Sequence, residues 1–254
     1  MKLLTVANAK TIKGEKLGYL TGILYLAPAD ESGVMNTCPM STAGCRAACL
    51  YTAGRASMFP MINRARVRKT LQLHSDPAGF REQLRKDIAS LIKAAARLRL
   101  TPAIRINGTS DLPNLALEMA AAFPDVQFYD YTKIPRPWQR TRSNYHLTFS
   151  LSESNRADAI TSLQHGINVA VVFKTRKTEP LQNTWEGFGV VSGDTHDLRF
   201  LDAHRTGLVI GLYAKGRAKQ DISGFVQLNS ITNVPKQRAN RLRRAYTARE
   251  NFSN

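Results

Sequence analysis

The chain has 254 residues, of which 43% are hydrophobic, and its 36 Lys and Arg against 19 Asp and Glu leave a formal net charge of +17. That hydrophobic content excludes a disordered chain, the scattered Gly and Pro exclude a collagen-like or low-complexity one, and no run approaches the roughly 18 apolar residues of a membrane-spanning helix. The positive excess fits a polyanionic partner, nucleic acid or another phosphorylated molecule, since released counterions drive association; it also serves solubility alone.

Residues 1–14 lack the long apolar core of a signal peptide, so a cytoplasmic location is expected. Residues 19–28 form a short apolar run of strand length, followed by a loop that holds all three cysteines. Residues 61–74 are rich in Arg and in good helix formers. Asp76 and Pro77 have the form of an N-cap and first turn. The helix they start runs to about residue 100, with Phe80, Leu84, Ile88, Leu91, Ile92 and Ala95 on one face. Beyond it, apolar strands at 103–106, 126–131, 145–151, 168–174 and 207–213 are expected. Helices are expected at 115–123 and 155–165, and 187–191 is a weak strand or turn.

Alternating apolar strands and helices predict parallel βα units. The expected fold is therefore α/β, a complete or partial (β/α) barrel, with an open doubly wound sheet as the alternative. No internal repeat or Gly/Ser linker divides it, so residues 1–234 are taken as one domain with the cysteine loop at 36–51, and 235–254 as a basic helix and tail.

Cys38, Cys45 and Cys49 are spaced C-x6-C-x3-C. Pro39 and Gly44 let the backbone turn so that the sulfurs converge. Thiolates are soft ligands that suit an iron–sulfur cluster or zinc. Three of them leave one iron of a four-iron cluster without a protein thiolate, open to a small molecule. A zinc site needs a fourth ligand, for which His74, His146, His165, His196 and His204 are the candidates. Three ordinary buried thiols remain the plain alternative.

Strand ends carry sites in parallel βα folds. Asn107, Ser110 and Asp111 follow one strand, as a ligand site or an Asx turn. Tyr131, Thr132 and Lys133 end the next, where Lys133 suits a carboxylate or phosphate. Arg136, Trp138, Arg140 and Arg142 interleave cations with an aromatic, a pattern suited to a nucleic-acid strand, while Trp138 also fits a core position. The polar run 192–202 includes Asp194, His196, Asp197 and Arg199, either substrate-facing or a surface turn with an Asp197–Arg199 ion pair. Ser150, Ser152, Glu153, Lys174 and Lys215 also lie at strand ends. A closing helix at 235–249 carries Lys236, Arg238, Arg241, Arg243, Arg244 and Arg249 with no acid between, suited to a phosphate backbone.

A three-cysteine loop directly after the first strand of a βα-repeat chain resembles the radical-SAM superfamily. The usual spacing there is C-x3-C-x2-C, and both gaps are longer here. That resemblance implies a radical-SAM-type barrel in which Cys38, Cys45 and Cys49 hold a 4Fe–4S cluster and S-adenosylmethionine (SAM) chelates the open iron. The Cys38-Pro39 loop, the segment from Arg105 to Asp111, and Tyr129 to Lys133 together are similar to phage-encoded families, including the one called gene product eighty-eight. This second resemblance spans roughly residues 15–215 and implies a location in the cytoplasm of a bacterial host. Two functions follow as expectations. One is a radical-SAM-like enzyme acting on nucleic acid or a nucleotide, with Asp111, Lys133 and His196 at its mouth and Asn107, Ser110 and Asp111 on the cofactor. The other is a non-catalytic DNA- or RNA-binding protein with a structural iron–sulfur or zinc site, gripping through residues such as Arg136, Trp138, Arg140, Arg238, Arg241 and Arg244.

Overall fold

A computed structural model describes residues 1–6, 9–202 and 207–230. Strand β1 (Leu4–Thr5) and helix α1 (Ala9–Glu15) lead into β2 (Tyr19–Leu24). The cysteine loop contains α2 (Ala43–Ala47), a 3-10 turn (Leu50–Thr52) and α3 (Arg55–Met58). Helices α4 (Pro60–Ser75) and α5 (Pro77–Leu98) carry the chain back to β3 (Thr101–Arg105). Then come α6 (Pro113–Ala122), β4 (Gln127–Thr132), a 3-10 turn (Pro137–Gln139), β5 (Tyr145–Ser150), α7 (Arg156–Gln164) and β6 (Val169–Lys174). A hairpin of β7 (Thr184–Trp185) and β8 (Phe188–Ser192) precedes a 3-10 turn (Arg199–Asp202), β9 (Val209–Tyr213), a last 3-10 turn (Gly216–Gln220) and β10 (Gln227–Leu228).

The strands make one sheet in the order β1-β2-β3-β4-β5-β6-β9-β8-β7, with β10 added against the end of β6. From β2 through β9 to β8 every pairing is parallel. The mixed α/β class is as expected, but the complete barrel is not what forms among the described residues. Two-residue antiparallel strands, β1 and β7, end the path, and no pairing joins them. The weak segment at 187–191 is a full member of the sheet, placed outside β9 although it precedes β9 in the chain.

Local rules fix the long helices. The Asp76 carboxylate accepts from the Gly79 N–H at 2.9 Å, capping α5. Its stripe of Phe80, Leu84, Ile88, Leu91 and Ala95 is buried against β1, β2 and β3. The helix stops where Arg99 turns left-handed at φ 56°. Inside the sheet's curve sits the turn Arg199–Asp202. The Phe200 ring packs edge-on against Tyr19 of β2 at 5.1 Å and Tyr129 of β4 at 5.4 Å. The sheet is thus packed on its outer side by α5 and on its inner side by this turn, and its strand C-termini open above it.

Candidate functional site

The cysteine loop is tied down at several points. Thr37 is fully buried; its hydroxyl donates to the Ala27 carbonyl at 2.5 Å, and its own carbonyl accepts from the Asp111 N–H at 2.8 Å. Cys38 follows directly, its N–H held by Asn36 Oδ1 at 2.8 Å and its sulfur 3.6 Å from the Thr109 carbonyl. Thr42 caps α2 by accepting from the Cys45 N–H at 3.2 Å. The Gly44 N–H donates to Glu153 Oε1 at 2.7 Å, locking α2 to the β5–α7 corner. A Cβ at position 44 would meet the Ser223 hydroxyl and the Glu153 carboxyl group, so a larger residue there would displace the side chain that holds α2.

Cys38, Cys45 and Cys49 are unpaired and half-buried, and all three line one cavity of about 430 Å³ at the strand C-termini. Burial pushes the Cys38 and Cys49 thiols up, and the neighbouring Cys45 sulfur pushes both the same way. A bound cation relieves that opposition, because metal ligation takes the deprotonated thiolate. Thiolates are soft donors, the ligand type that iron–sulfur clusters take, and all three line this one cavity. Among the described residues, no group of three or more His, Cys, Asp or Glu is disposed to hold a single metal ion.

The strand ends complete the lining, and the cysteine loop lies directly against the segment after β3, where the Cys38 sulfur meets the Thr109 carbonyl. Asn107, Ser110, Asp111, Lys133 and His196 line the same space as the cysteines. The Asn107 side chain is a bracket: Nδ2 donates to Asp130 Oδ2 at 3.0 Å, and Oδ1 accepts from Ser110 Oγ at 2.9 Å and the Leu112 N–H at 2.8 Å. Asp111 is buried; its Oδ2 accepts from the Lys133 N–H at 2.8 Å and Thr132 Oγ1 at 3.2 Å. Burial pushes its carboxyl up. The Lys133 ammonium donates to Ser150 Oγ at 3.2 Å and lies 5.6 Å from the Phe225 ring. It makes no ion pair among the described residues, which leaves its charge for a ligand. Lys215, by contrast, is paired with Asp194.

A family model described as gene product 88 matches residues 2–228. The chain belongs to the gene product 88 family. It is the phage gene-product family to which the cysteine loop and the Tyr129-to-Lys133 segment pointed. No curated protein and no solved structure matches the chain. No helix among the described residues of this family member is long and apolar enough to cross a membrane.

Other expected site residues fall elsewhere. Trp138 does not line the cavity but stacks on His165, with ring centroids 3.9 Å apart and planes at 9°. Arg140 braces its own loop, donating to the carbonyls of Ile134 at 2.8 Å and Pro135 at 2.9 Å, while Arg136 is exposed. Arg238, Arg241, Arg244 and the helix at 235–249 lie outside the described residues, as does His204. An Asp197–Arg199 surface pair does not form. Asp197 pairs with Arg105 at 2.8 Å, and the fully buried Arg199 pairs with Asp202 at 3.2 Å. The Arg199 Nη2 donates to the His196 carbonyl at 2.6 Å and Asp202 answers its charge, while its Nε and Nη1 have no hydrogen-bond partner among the described residues. Sequence reasoning missed Lys13, whose ammonium donates to the Asp194 carbonyl at 2.6 Å on the cavity wall. It precedes the first recognised strand, and nothing in its surroundings marks it.

Behind the mouth of this gene product 88 chain, Asp130 is buried and accepts from the Asn107 N–H at 2.7 Å and the Tyr145 hydroxyl at 3.1 Å. Burial pushes its carboxyl up to about 7. An acid with a raised folded pKa takes up a proton on folding, so its contribution to stability falls as pH rises from its unfolded value of about 4 to about 7. Asp130→Asn removes that slope. In urea titrations, the variant's deficit relative to wild type is expected to be smaller at about pH 8 than at about pH 5; an equal deficit at both would contradict the placement.

Proposed function

We propose that this protein is an iron–sulfur enzyme of radical-SAM-like type that acts on a nucleic acid or nucleotide. In this reading Cys38, Cys45 and Cys49 hold a 4Fe–4S cluster at the mouth of a partial (β/α) barrel. The observation that carries it is the shared cavity at the ends of parallel strands, lined by three unpaired thiols together with Asn107, Ser110, Asp111, Lys133 and His196. Strands β2, β3, β4, β5, β6 and β9 stand side by side, all parallel and in chain order, which supports a barrel-like arrangement.

When bound, the cluster supplies a single electron at an iron free of protein thiolate, the chemistry for reductive cleavage of SAM. The chain's own residues do the rest. Lys133 offers a fixed ammonium near Cys49 for the ligand's carboxylate or phosphate. Asp111 holds the Lys133 backbone in place, and its carboxylate receives an amine or hydroxyl. His196, whose pKa is lowered chiefly by burial, stays neutral at pH 7 and lines the cavity with its Nδ1 accepting from Arg199 Nη2 at 3.1 Å. Apolar Ala170, Val172 and Leu212 complete the lining.

Anaerobic purification tests this directly. Brown protein with about four irons per chain is expected, and Cys38→Ala should lose both colour and iron. A second reading gives the three half-buried thiols to a structural zinc, although among the described residues no group of His, Cys, Asp or Glu is disposed to close such a site. Colourless protein with one zinc per chain would favour that reading and a purely nucleic-acid-binding role. Metal-free protein under the same conditions would remove both.

A further inference from the structure

A second concavity, an open groove of about 740 Å³, lies beside the cysteine cavity. The exposed Arg64 and Arg68 line it from α4, one helical turn apart, and the exposed Arg217 lines it from the turn Gly216–Gln220. No acid lines it among the described residues, and none of the three arginines makes an ion pair there. Tyr51 forms part of its wall, with the Arg66 guanidinium 5.6 Å from the ring and fixing its place.

Two short turns separate groove from cavity, and each serves both. From the first, Cys49 and Leu50 face the cavity while Tyr51 and Thr52 face the groove. Beside the second, Lys215 and Ala218 face the cavity while Arg217 faces the groove. They pack so closely that a Cβ on Gly216 would lie 2.8 Å from the Ala53 Cβ. One layer of backbone therefore divides a cationic trough with an aromatic wall from the cysteine cavity.

We propose that this groove holds the sugar-phosphate backbone of a single-stranded nucleic acid and presents one of its bases to the cysteine cavity. The inference rests on the reading of that cavity as the reacting site. Unpaired arginines with an aromatic ring suit a strand whose bases are free to stack. A concave site of this size accepts a base only when it is out of a duplex. The net charge of +17 favours the same class of partner.

The test titrates labelled single-stranded and duplex oligonucleotides of one sequence into the full chain, at several salt concentrations. The comparison is the triple variant Arg64→Gln, Arg68→Gln, Arg217→Gln. Wild type is expected to prefer the single strand. The variant should bind it at least about tenfold more weakly, with the salt slope reduced by about 2, at about 0.7 per lost phosphate contact. Its unfolding transition should not move, because all three side chains are exposed. Full affinity in the variant would overturn the groove while leaving a nucleic-acid substrate standing on other basic residues. Tighter binding of duplex would overturn the single-strand assignment. No binding of either by wild type at low salt would overturn the nucleic-acid reading itself. Photocrosslinking of a bromouracil-substituted strand to wild type gives a check that needs no variant: attachment at the segment holding Tyr51 supports the track, and attachment only elsewhere overturns it.

Discussion

Replacing Asp197 with alanine is expected to lower the unfolding free energy by about 3–5 kcal/mol, the cost of stranding one member of a buried ion pair. The Arg105 and Asp197 side chains are only 6% and 13% exposed and meet at 2.8 Å. Although burial opposes its charge, Asp197 holds the Arg105 guanidinium firmly protonated. The Tyr131 ring lies 4.6 Å from the same guanidinium, but a cation–π contact is worth only about 0.5–2 kcal/mol and does not replace a carboxylate. The expectation reverses for the double variant Arg105→Met, Asp197→Leu. With both charges gone, most of the lost stability should return, because a well-packed apolar pair often matches a buried ion pair. Urea unfolding of the two variants decides it. A loss below about 1 kcal/mol for Asp197→Ala would mean that Arg105 is not confined as described.

Asn107→Ala is expected to cost about 3 kcal/mol or more, because it leaves several partners unmatched at once. Asp130 loses a donor, while Ser110 Oγ and the Leu112 N–H lose their acceptor. The segment so released carries Asp111 and, through it, the Lys133 backbone. The substitution should therefore weaken any ligand that relies on Lys133 as well as the fold. Asn107→Asp separates the two roles. It keeps Oδ1 for Ser110 and Leu112 but sets a second carboxylate against Asp130. Like charges that close cannot both ionise, so the aspartate variant should be poor at neutral pH and partly restored at about pH 5, where the pair holds a proton. The alanine variant should show no comparable recovery. Guanidinium unfolding at the two pH values distinguishes them.

The sequence made much of this site legible because its signals were local. Alternating apolar runs marked β4, β5 and β6, and Asp76-Pro77 marked the start of α5. The cysteine spacing marked the loop, and residues at strand ends marked the mouth. What it hid was long-range. Nothing in the run 187–191 says that β8 lies outside β9. That placement depends on which edge the hairpin reaches, and its mixed exposure blurs the period of two. Arg199 sits in a polar run and reads as a surface residue, yet it is buried inside the sheet's curve because Asp202 and the His196 carbonyl meet it there. Arg140 and Trp138 had the composition of a nucleic-acid contact. Their partners, two nearby carbonyls and a histidine distant in the chain, are visible only in three dimensions. The arginine-rich stretch 61–74 was evident, but not that Arg66 faces inward to two tyrosines while Arg64 and Arg68 face the groove.

The pairing of β10 with the end of β6 fixes where the rest of the chain departs. Gln227 and Leu228 lie beside Phe173 and Lys174, and Phe225 already lines the cavity, so Ser230 leaves from the rim of the mouth. Lys13, Lys133 and Lys215 line that same mouth, so positive charge is gathered at the entrance. Its first effect is kinetic. Such a charge raises the rate at which an anionic ligand arrives, and that gain fades as salt shortens its range to about 10 Å at 0.1 M. The rate of departure is set instead by the contacts within the groove and cavity.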